Sequence, residues 1–552
     1  MEKSKRFTKK EWSWIMYDWA NSIYATNIMA AIYPTIFASA VPNGDIRWGY
    51  ATSAATLIVA LLSPVLGALA DYKGYKKKLF TLFMLIGVLF TPLMVLTGHW
   101  KLCLVGYVLS HIGFNGSCLF YDSFLTDVTT NERMDRVSSW GYAMGYIGGS
   151  TIPFVISIGM LLLFDYNAFA QAFSVLIVSV WWLVFSIPML KNVTHEHYRD
   201  QSTALNIKNI FSSILTTLRR ICKSKGLLIF ILAYFCYIDG VDTIISISTA
   251  YGTTLGLGTT GMILALLVTQ IVAVPCSIWF AKLSEAFSAR KMLIGAVAIY
   301  LAICLLGFYM GFSMEPSQNA YEKVFDETYA SMQIDADLKK DAKALLENCK
   351  DAWKSDDPVT ALAEAYDIEL DKKDAKELLE NSIDAWKSDD PVTALAEAYG
   401  IGPAENSDKE KVSALLNITL GADLLPVKEA LFAAAEGSMD KMTAFRDAIS
   451  FSTLLFWIMA TMVGTVQGGI QAVSRSYFGK IIPKEHSNEY YGFFDIFGKF
   501  ASFLGPVIYS TCAAVTGRSS IGVLGLAALF LAGLCLLLFG RKSFAALEQQ
   551  KI

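Results

Sequence analysis

Runs of about twenty mostly apolar residues, the length needed to cross a bilayer as helix, recur along this chain and leave little choice of fold. They fall near residues 13–40, 48–70, 79–98, 101–124, 141–163, 168–190, 227–250, 259–282, 291–312, 450–473, 491–515 and 519–540. Open backbone in lipid leaves polar groups unsatisfied, and these runs are too long for barrel strands, so each reads as a membrane-spanning helix. Composition agrees: 54% of residues are hydrophobic and 17% charged, against about 25% charged in soluble proteins. The expected class is an all-α integral membrane protein with twelve transmembrane helices in two six-helix halves.

Orientation follows from where Lys and Arg sit. The connections on the side of the N-terminus carry 27 of them, while the short loops on the other side carry only Arg47, Lys101 and Arg518. Both termini are therefore expected in the cytoplasm, most simply at a bacterial plasma membrane. The basic leader of Lys3, Lys5, Arg6, Lys9 and Lys10 runs into an apolar stretch too long for a signal-peptide core. The expected organisation is an N-terminal six-helix bundle at 1–190, a basic cytoplasmic linker at 191–226 and the first three helices of the second bundle at 227–312. An insert then occupies 313–449, outside the cytoplasm, and 450–552 completes the bundle with a short tail. The insert holds 30 acidic and 15 basic residues, so a basic membrane body carries an acidic appendage although the whole chain is only −3.

Ionisable side chains cost about 2.5–3.5 kcal/mol each in the middle of a span, so the ones present need a cavity or a partner. Asp18, Asn21 and Asn27 lie on span 1, His111, Asn115 and Asp122 on span 4, Asp239 and Asp242 on span 7, and Gln467 and Gln471 on span 10. One polar helix in every three is the pattern of a central aqueous pathway, and these ten residues are the candidates for binding solute or a coupling ion. Asp239 and Asp242, three apart, share a helix face, and paired carboxylates raise each other's pKa in a way that suits reversible protonation. Asp18 and Asp122 equally suit a gate, and His111 a helix contact. Asp495 and Lys499, four apart, read as an intrahelical pair and a gate element. On span 5, Gly141, Gly145, Gly148 and Gly149 precede Pro153, a spacing that lets helices approach closely.

The connection after span 2 runs Gly67-Ala-Leu-Ala-Asp71-Tyr-Lys-Gly74-Tyr-Lys76-Lys77. An acidic residue at a helix end, a glycine turn and a basic cluster make a breakable latch, to which Arg475, Asp495 and Lys499 are added. This stretch resembles the loop signature of the major facilitator superfamily, with Tyr72 and Tyr75 where Arg is usual. Ala281-Lys-Leu-Ser-Glu285 through Arg290-Lys291 after span 8 is a degraded copy. Trp14-Ile-Met-Tyr17-Asp18-Trp19-Ala20-Asn21-Ser22, Gly468-Gly-Ile-Gln471-Ala-Val-Ser474-Arg475-Ser476, Tyr491-Gly492-Phe493-Phe494 and Gly505-Pro506 resemble the vacuole-effluxer-like branch, related to autophagy-linked vacuolar amino-acid exporters. The resemblance covers the twelve spans and not the insert. It implies the major facilitator fold, export of a small solute with amino acids the favoured class, and a single copy as sufficient.

Within the insert, Asp341–Tyr366 recurs as Asp374–Tyr399 with 23 of 26 positions identical. Each copy reads as helix, tight turn and helix, with Asp357 or Asp390 capping the second helix and Pro358 or Pro391 in its first turn. The nine cysteines form no CxxC or Cys/His cluster, so no metal or redox site is expected. No phosphate-binding loop or nucleophile motif points to an ATP-driven pump or an enzyme. A secondary transporter coupled to protons or another cation is the leading expectation, with no cofactor and no nucleic acid. The rival is a transporter-derived sensor or scaffold whose insert binds a ligand or partner.

Overall fold

Each long apolar run has to satisfy its own backbone as helix, and each polar side chain along it has to find a partner on a neighbour. The structure, a computed structural model, describes residues 6–30, 32–41, 44–96, 99–164, 167–199, 207–335, 338–355, 357–366 and 408–549. The helices are α1 (Lys9–Ile23), α2 (Ile32–Ala40), α3 (Gly44–Ala70), α4 (Tyr75–Phe90), α5 (Trp100–Val128), α6 (Met134–Met144), α7 (Ile152–Leu163), α8 (Ala168–Asn192) and α9 (Ile207–Lys223). They continue as α10 (Lys225–Thr254), α11 (Thr259–Ala286), α12 (Ala289–Ser331), α13 (Lys339–Ala352), α14 (Pro358–Glu364) and α15 (Asp408–Glu436). The last four are α16 (Met439–Ile481), α17 (Ser487–Thr516), α18 (Ser519–Phe539) and α19 (Arg541–Gln549). Among the described residues, eleven helices are long and apolar enough to cross a membrane.

The first apolar run is the exception to the expected pattern of single spans. Residues 13–40 are not one helix but α1, a π-helical segment at Tyr24–Ala30, and α2. Asn27 lies in that wide turn, wholly buried, and donates from Nδ2 to Ser157 Oγ at 2.8 Å and to the Ser174 carbonyl at 3.4 Å. It therefore bonds the first, fifth and sixth expected spans together. A second π segment, Gly145–Thr151, joins α6 to α7 and packs on α1 and on the first π segment. The glycines here are required by contact. A Cβ on Gly148 would lie 1.8 Å from the Trp19 ring, and one on Gly149 would lie 2.2 Å from Ser22 Cβ.

Two units can be described separately. The first comprises Met1–Thr253, Gly258–Phe308 and Phe456–Ile552. Its N-terminal half is centred on stacked aromatics: Trp14 on Tyr121 at 4.4 Å and Tyr24 on Phe114 at 4.8 Å, with Trp182 Nε1 donating to Tyr17 Oη. Its C-terminal half repeats the device with Tyr234 on Phe494 at 3.9 Å and Phe478 on Phe494 at 4.5 Å. The halves meet where α3 packs along α17 and α6 against α11. A Cβ on Gly67 would stand 2.3 Å from the Asn488 carbonyl oxygen, and one on Gly492 would stand 2.7 Å from that of Ser63.

The second unit comprises Thr254–Leu257 and Tyr309–Leu455. Here α12 and α16 do not stop where their apolar runs stop. Each has 43 residues, about 65 Å at 1.5 Å per residue and twice the thickness of the hydrocarbon core. The buried contacts of this unit include Tyr321 on Phe445 at 4.5 Å and Trp353 on Phe432 at 5.4 Å, with Leu345, Leu346, Cys349 and Leu362 between helices. Burial pushes the Cys349 thiol up to about 12. The first repeat copy is α13, a turn and α14, and Asp357 caps α14 by accepting from Thr360 N, with Pro358 in the first turn. The second copy, 374–399, lies outside the described residues.

Overpacking a tight contact costs about 1–3 kcal/mol. Gly148→Ala should therefore lower the Tm of the purified protein by several degrees, while Gly159→Ala, whose Cβ meets nothing within 4 Å, should leave it unchanged or raised. Equal melting of the two variants in a scanning-fluorescence assay would contradict the packing described.

Candidate functional site

A guanidinium is always charged and carries five donors, so one buried in an apolar bundle organises whatever lies around it. Arg475 on α16 is 4% exposed. Its Nη1 donates to Asp122 Oδ1 at 2.9 Å, its Nη2 reaches Asp18 Oδ2 at 3.4 Å, and its Nε donates to Ser138 Oγ at 3.0 Å. Tyr121 Oη also donates to Asp18, at 2.8 Å. The guanidinium carbon lies 4.7 Å from the Trp14 ring centre and 4.6 Å from that of Tyr142, so aromatic faces take up the rest of the charge. Asp18 and Asp122, grouped by sequence with the solute candidates, and Arg475, grouped with the latch, thus form one cluster across the two halves.

The other candidates spread outward from it. Asn21 Nδ2 reaches Cys118 Sγ at 3.5 Å, and Asp495 and Lys499 pair with each other. Asp495 Oδ2 accepts from Ser63 Oγ at 2.6 Å, which ties that pair to α3. His111 sits beside Tyr107, with Nε2 3.4 Å from Thr56 Oγ1, and Asn115 donates to its own helix at the His111 carbonyl. Gln471 lies one turn from Arg475 and Gln467 two turns, on one face of α16. Gln467 with Gln270, Tyr251, Thr269, Phe456 and Val523 lines a cavity of about 110 Å³ in the C-terminal half. Asn27 is the candidate drawn away from the pathway, into the packing described above.

Asp239 and Asp242 differ in burial. Asp239 is fully buried and its Oδ1 accepts from Gly505 N at 2.8 Å, beside the proline inside α17. Among the described residues its Oδ2 has no hydrogen-bond partner, and neither has Thr243 Oγ1 one turn on. A Cβ on Gly505 would come within 2.0 Å of that hydroxyl, so Gly505 is what lets the carboxyl reach the α17 backbone. Asp242 is only half-buried.

At the end of the bundle that bears the termini, Asp71 caps α17. Its Oδ1 accepts from Asn488 N at 2.9 Å and Asn488 Nδ2 at 2.8 Å, and its Oδ2 accepts from Glu489 N at 3.2 Å. A carboxylate there meets both the free amides and the positive end of the helix dipole. Gly74 takes φ +82, a left-handed turn. Lys76, wholly buried, donates to Asp127 Oδ2 at 2.7 Å, and Asp127 Oδ1 accepts from the Glu196 and His197 amides. Lys77 is half-exposed. Arg199 donates its backbone N–H to the Asp71 carbonyl at 2.8 Å, and its guanidinium bonds Glu489, His486 and Ser213. Asp135 accepts from Ser476 at 2.6 Å and pairs with Lys480. Sequence reasoning missed Asp127, Asp135, Arg199, Asn488 and Glu489, whose partners lie as many as 418 positions away. The local signal for Asp127, Asp135 and Glu489 was charge near a span end, and Arg199 and Asn488 carried none.

A family model described as "Vacuole effluxer Atg22 like" matches residues 48–323 and 452–549. The uncharacterized MFS-type transporter YxiO of Bacillus subtilis (strain 168) is 34% identical over 97% of this chain and 95% of its own length. Autophagy-related protein 22 of Coccidioides immitis (strain RS) is 23% identical over 48% of this chain and 54% of its own. Among solved structures, the E. coli fucose:proton symporter FucP superposes with TM-score 0.54 at 12% identity, covering 96% of this chain and 97% of that one. The proton:xylose symporter XylE superposes with TM-score 0.53 at 9% identity over 97% and 94%.

Two outcomes follow from this end of the bundle. Removing one partner of a buried pair costs about 3–5 kcal/mol, so Lys76→Met should lower the Tm far more than Lys77→Met. A similar loss for both would contradict the pairing. Burial, with the Glu489 carboxylate acting the same way, pushes Asp71 up to about 7 against the pull of Arg199 and Asn488. Its folded-state pKa is thus above the ordinary value of about 3.9, so its contribution to stability is full below about 4 and is lost as pH rises through about 7. Tm against pH should fall across that window and flatten in Asp71→Asn. An identical profile in the variant would refute the assignment.

Proposed function

Because the chain belongs to the vacuole effluxer Atg22-like family and carries the major facilitator fold, we propose that it is a secondary active transporter moving a small solute by alternating access. The observation that carries this reading is the band of bonds between halves at the end bearing the termini: Asp71 with the start of α17, Asp135 with Ser476 and Lys480, and Arg475 with Asp18 and Asp122. Each is a polar contact that water can replace, so the halves can part there. The structure then corresponds to a state shut at that end, with Arg475 at the floor of the pathway.

In this reading α1 and α2 together make the first of twelve crossings. The Lys and Arg asymmetry argues for termini in the cytoplasm of a bacterial cell and for the insert outside it. The solute class is amino acids. Arg475 and Lys499 offer cations for a carboxylate, while Asp18, Asp122 and Asp495 offer acceptors for an ammonium group, which suits a zwitterion. The effluxer family favours export. The coupling ion is the proton, carried by Asp239, whose buried Oδ2 has no hydrogen-bond partner among the described residues. The bonds between halves lie within one chain, so a monomer suffices.

Proteoliposomes with an internal pH dye test this directly. A panel of amino acids should drive proton flux in the wild type, and Asp239→Asn/Asp242→Asn should reduce it at least about tenfold, on the scale of a lost proton-transfer group. Solute counterflow should persist in that variant. Silence in both assays with every solute, from folded protein, would sink the transport reading and favour a sensor.

A further inference from the structure

The linker between the two halves contains a helix with three distinct faces. In α9, Ile210, Thr217 and Ile221 are buried, and the helix packs on α3 of one half and α17 of the other. Beside that face, Phe211, Leu215, Leu218 and Cys222, spaced four, three and four apart, form a stripe exposed at 60%, 48% and 38% for the first three. A third face carries Arg219, Arg220 and Lys223, all exposed. Cys222 is the only one of the nine cysteines that is exposed.

An apolar stripe of this size facing water would be costly, and the chain on either side says what covers it. Only Ser224 separates α9 from α10, a membrane-spanning helix that begins at the exposed Lys225. The helix is interrupted at Ser224, whose N–H donates to the Arg220 carbonyl as the last bond of α9 and whose carbonyl accepts from Leu228 N as the first bond of α10. The stripe is therefore held at the level where a span leaves the bilayer. Between Gln201 and Ile238 the sequence has five basic residues, Lys208, Arg219, Arg220, Lys223 and Lys225, and no Asp or Glu. Apolar residues beside a purely basic face, on a helix of about 25 Å, are what an interfacial helix presents to anionic headgroups.

We propose that α9 is an in-plane membrane-surface helix whose Phe211, Leu215, Leu218 and Cys222 enter the headgroup–acyl boundary while Arg219, Arg220 and Lys223 bind anionic phospholipid headgroups. Docking reaches the latch through Ser213. Its hydroxyl donates to Glu489 Oε2 at 2.9 Å and accepts from Arg199 Nη1 at 2.7 Å. A lipid surface that fixes α9 therefore also fixes the Arg199–Glu489 contact beside Asp71. The docking stands whatever the solute is.

The test uses full-length protein in nanodiscs of phosphatidylcholine alone or mixed with phosphatidylglycerol. The rate of Cys222 alkylation by an uncharged water-soluble maleimide is read by peptide mass spectrometry, with amide exchange of residues 210–221 read in parallel. Each basic residue near an anionic surface contributes about a fivefold factor (roughly 1 kcal/mol). Both rates should therefore be more than tenfold slower with phosphatidylglycerol, and Arg219→Gln/Arg220→Gln/Lys223→Gln should remove the difference. Phe211→Ser/Leu215→Ser/Leu218→Ser should restore fast rates in either lipid. Equal wild-type rates in the two lipids, or a lipid difference that survives the glutamine variant, would overturn the headgroup assignment. Slow rates that survive the serine variant would overturn the apolar docking.

Discussion

A single buried guanidinium sets the terms for the rest of this bundle. Arg475 cannot lose its charge, and in a medium of low dielectric an unpaired charge is far more costly than any one packing contact. It is offset by Asp18 and Asp122 from the opposite half and by the faces of Trp14 and Tyr142. Those partners in turn fix where α1 and α5 must lie. Gly141 leaves the space for Asp18, since a Cβ there would stand 2.5 Å from its carboxylate. The halves are consequently joined by electrostatics that depend on their spacing, within interfaces smoothed by glycine.

The same economy recurs at the end bearing the termini. Asp71 caps the helix of the opposite half, while Lys76 and Asp127 form a wholly buried pair within one half. The first device can break when water enters, because both the carboxylate and the α17 amides can be solvated. The second holds the α4–α5 frame against which the first works. Arg199 and Ser213 tie the linker into this region, so a lipid-bound α9 would act on the latch itself rather than on the solute pathway.

Much of the fold was legible because lipid enforces it. Apolar length located eleven of the twelve expected spans among the described residues, and the Asp71 motif and the span-5 glycines marked close contacts that the geometry contains. The break at Tyr24–Ala30 was not legible, since the run stays apolar while Asn27 bonds residues 130 and 147 positions away. Asp18 and Arg475 were each visible, but their pairing across 457 positions leaves no trace in local periodicity. The lengths of α12 and α16 were hidden for a related reason. Their outer turns are polar on one face, with Tyr321, Phe325, Met442 and Phe445 buried on the other, so the apolar runs end long before the helices do.

Alternating access requires the halves to part at the end that Arg475 holds shut. Spin labels at the exposed Lys73 and Glu485, on either side of that end, allow the distance between halves to be read by pulsed electron resonance. The wild type should show a dominant short distance with a longer minor one, and Arg475→Gln should make the longer distance dominant. One unchanged distance in both proteins, across conditions that support flux, would contradict alternating access gated at this cluster.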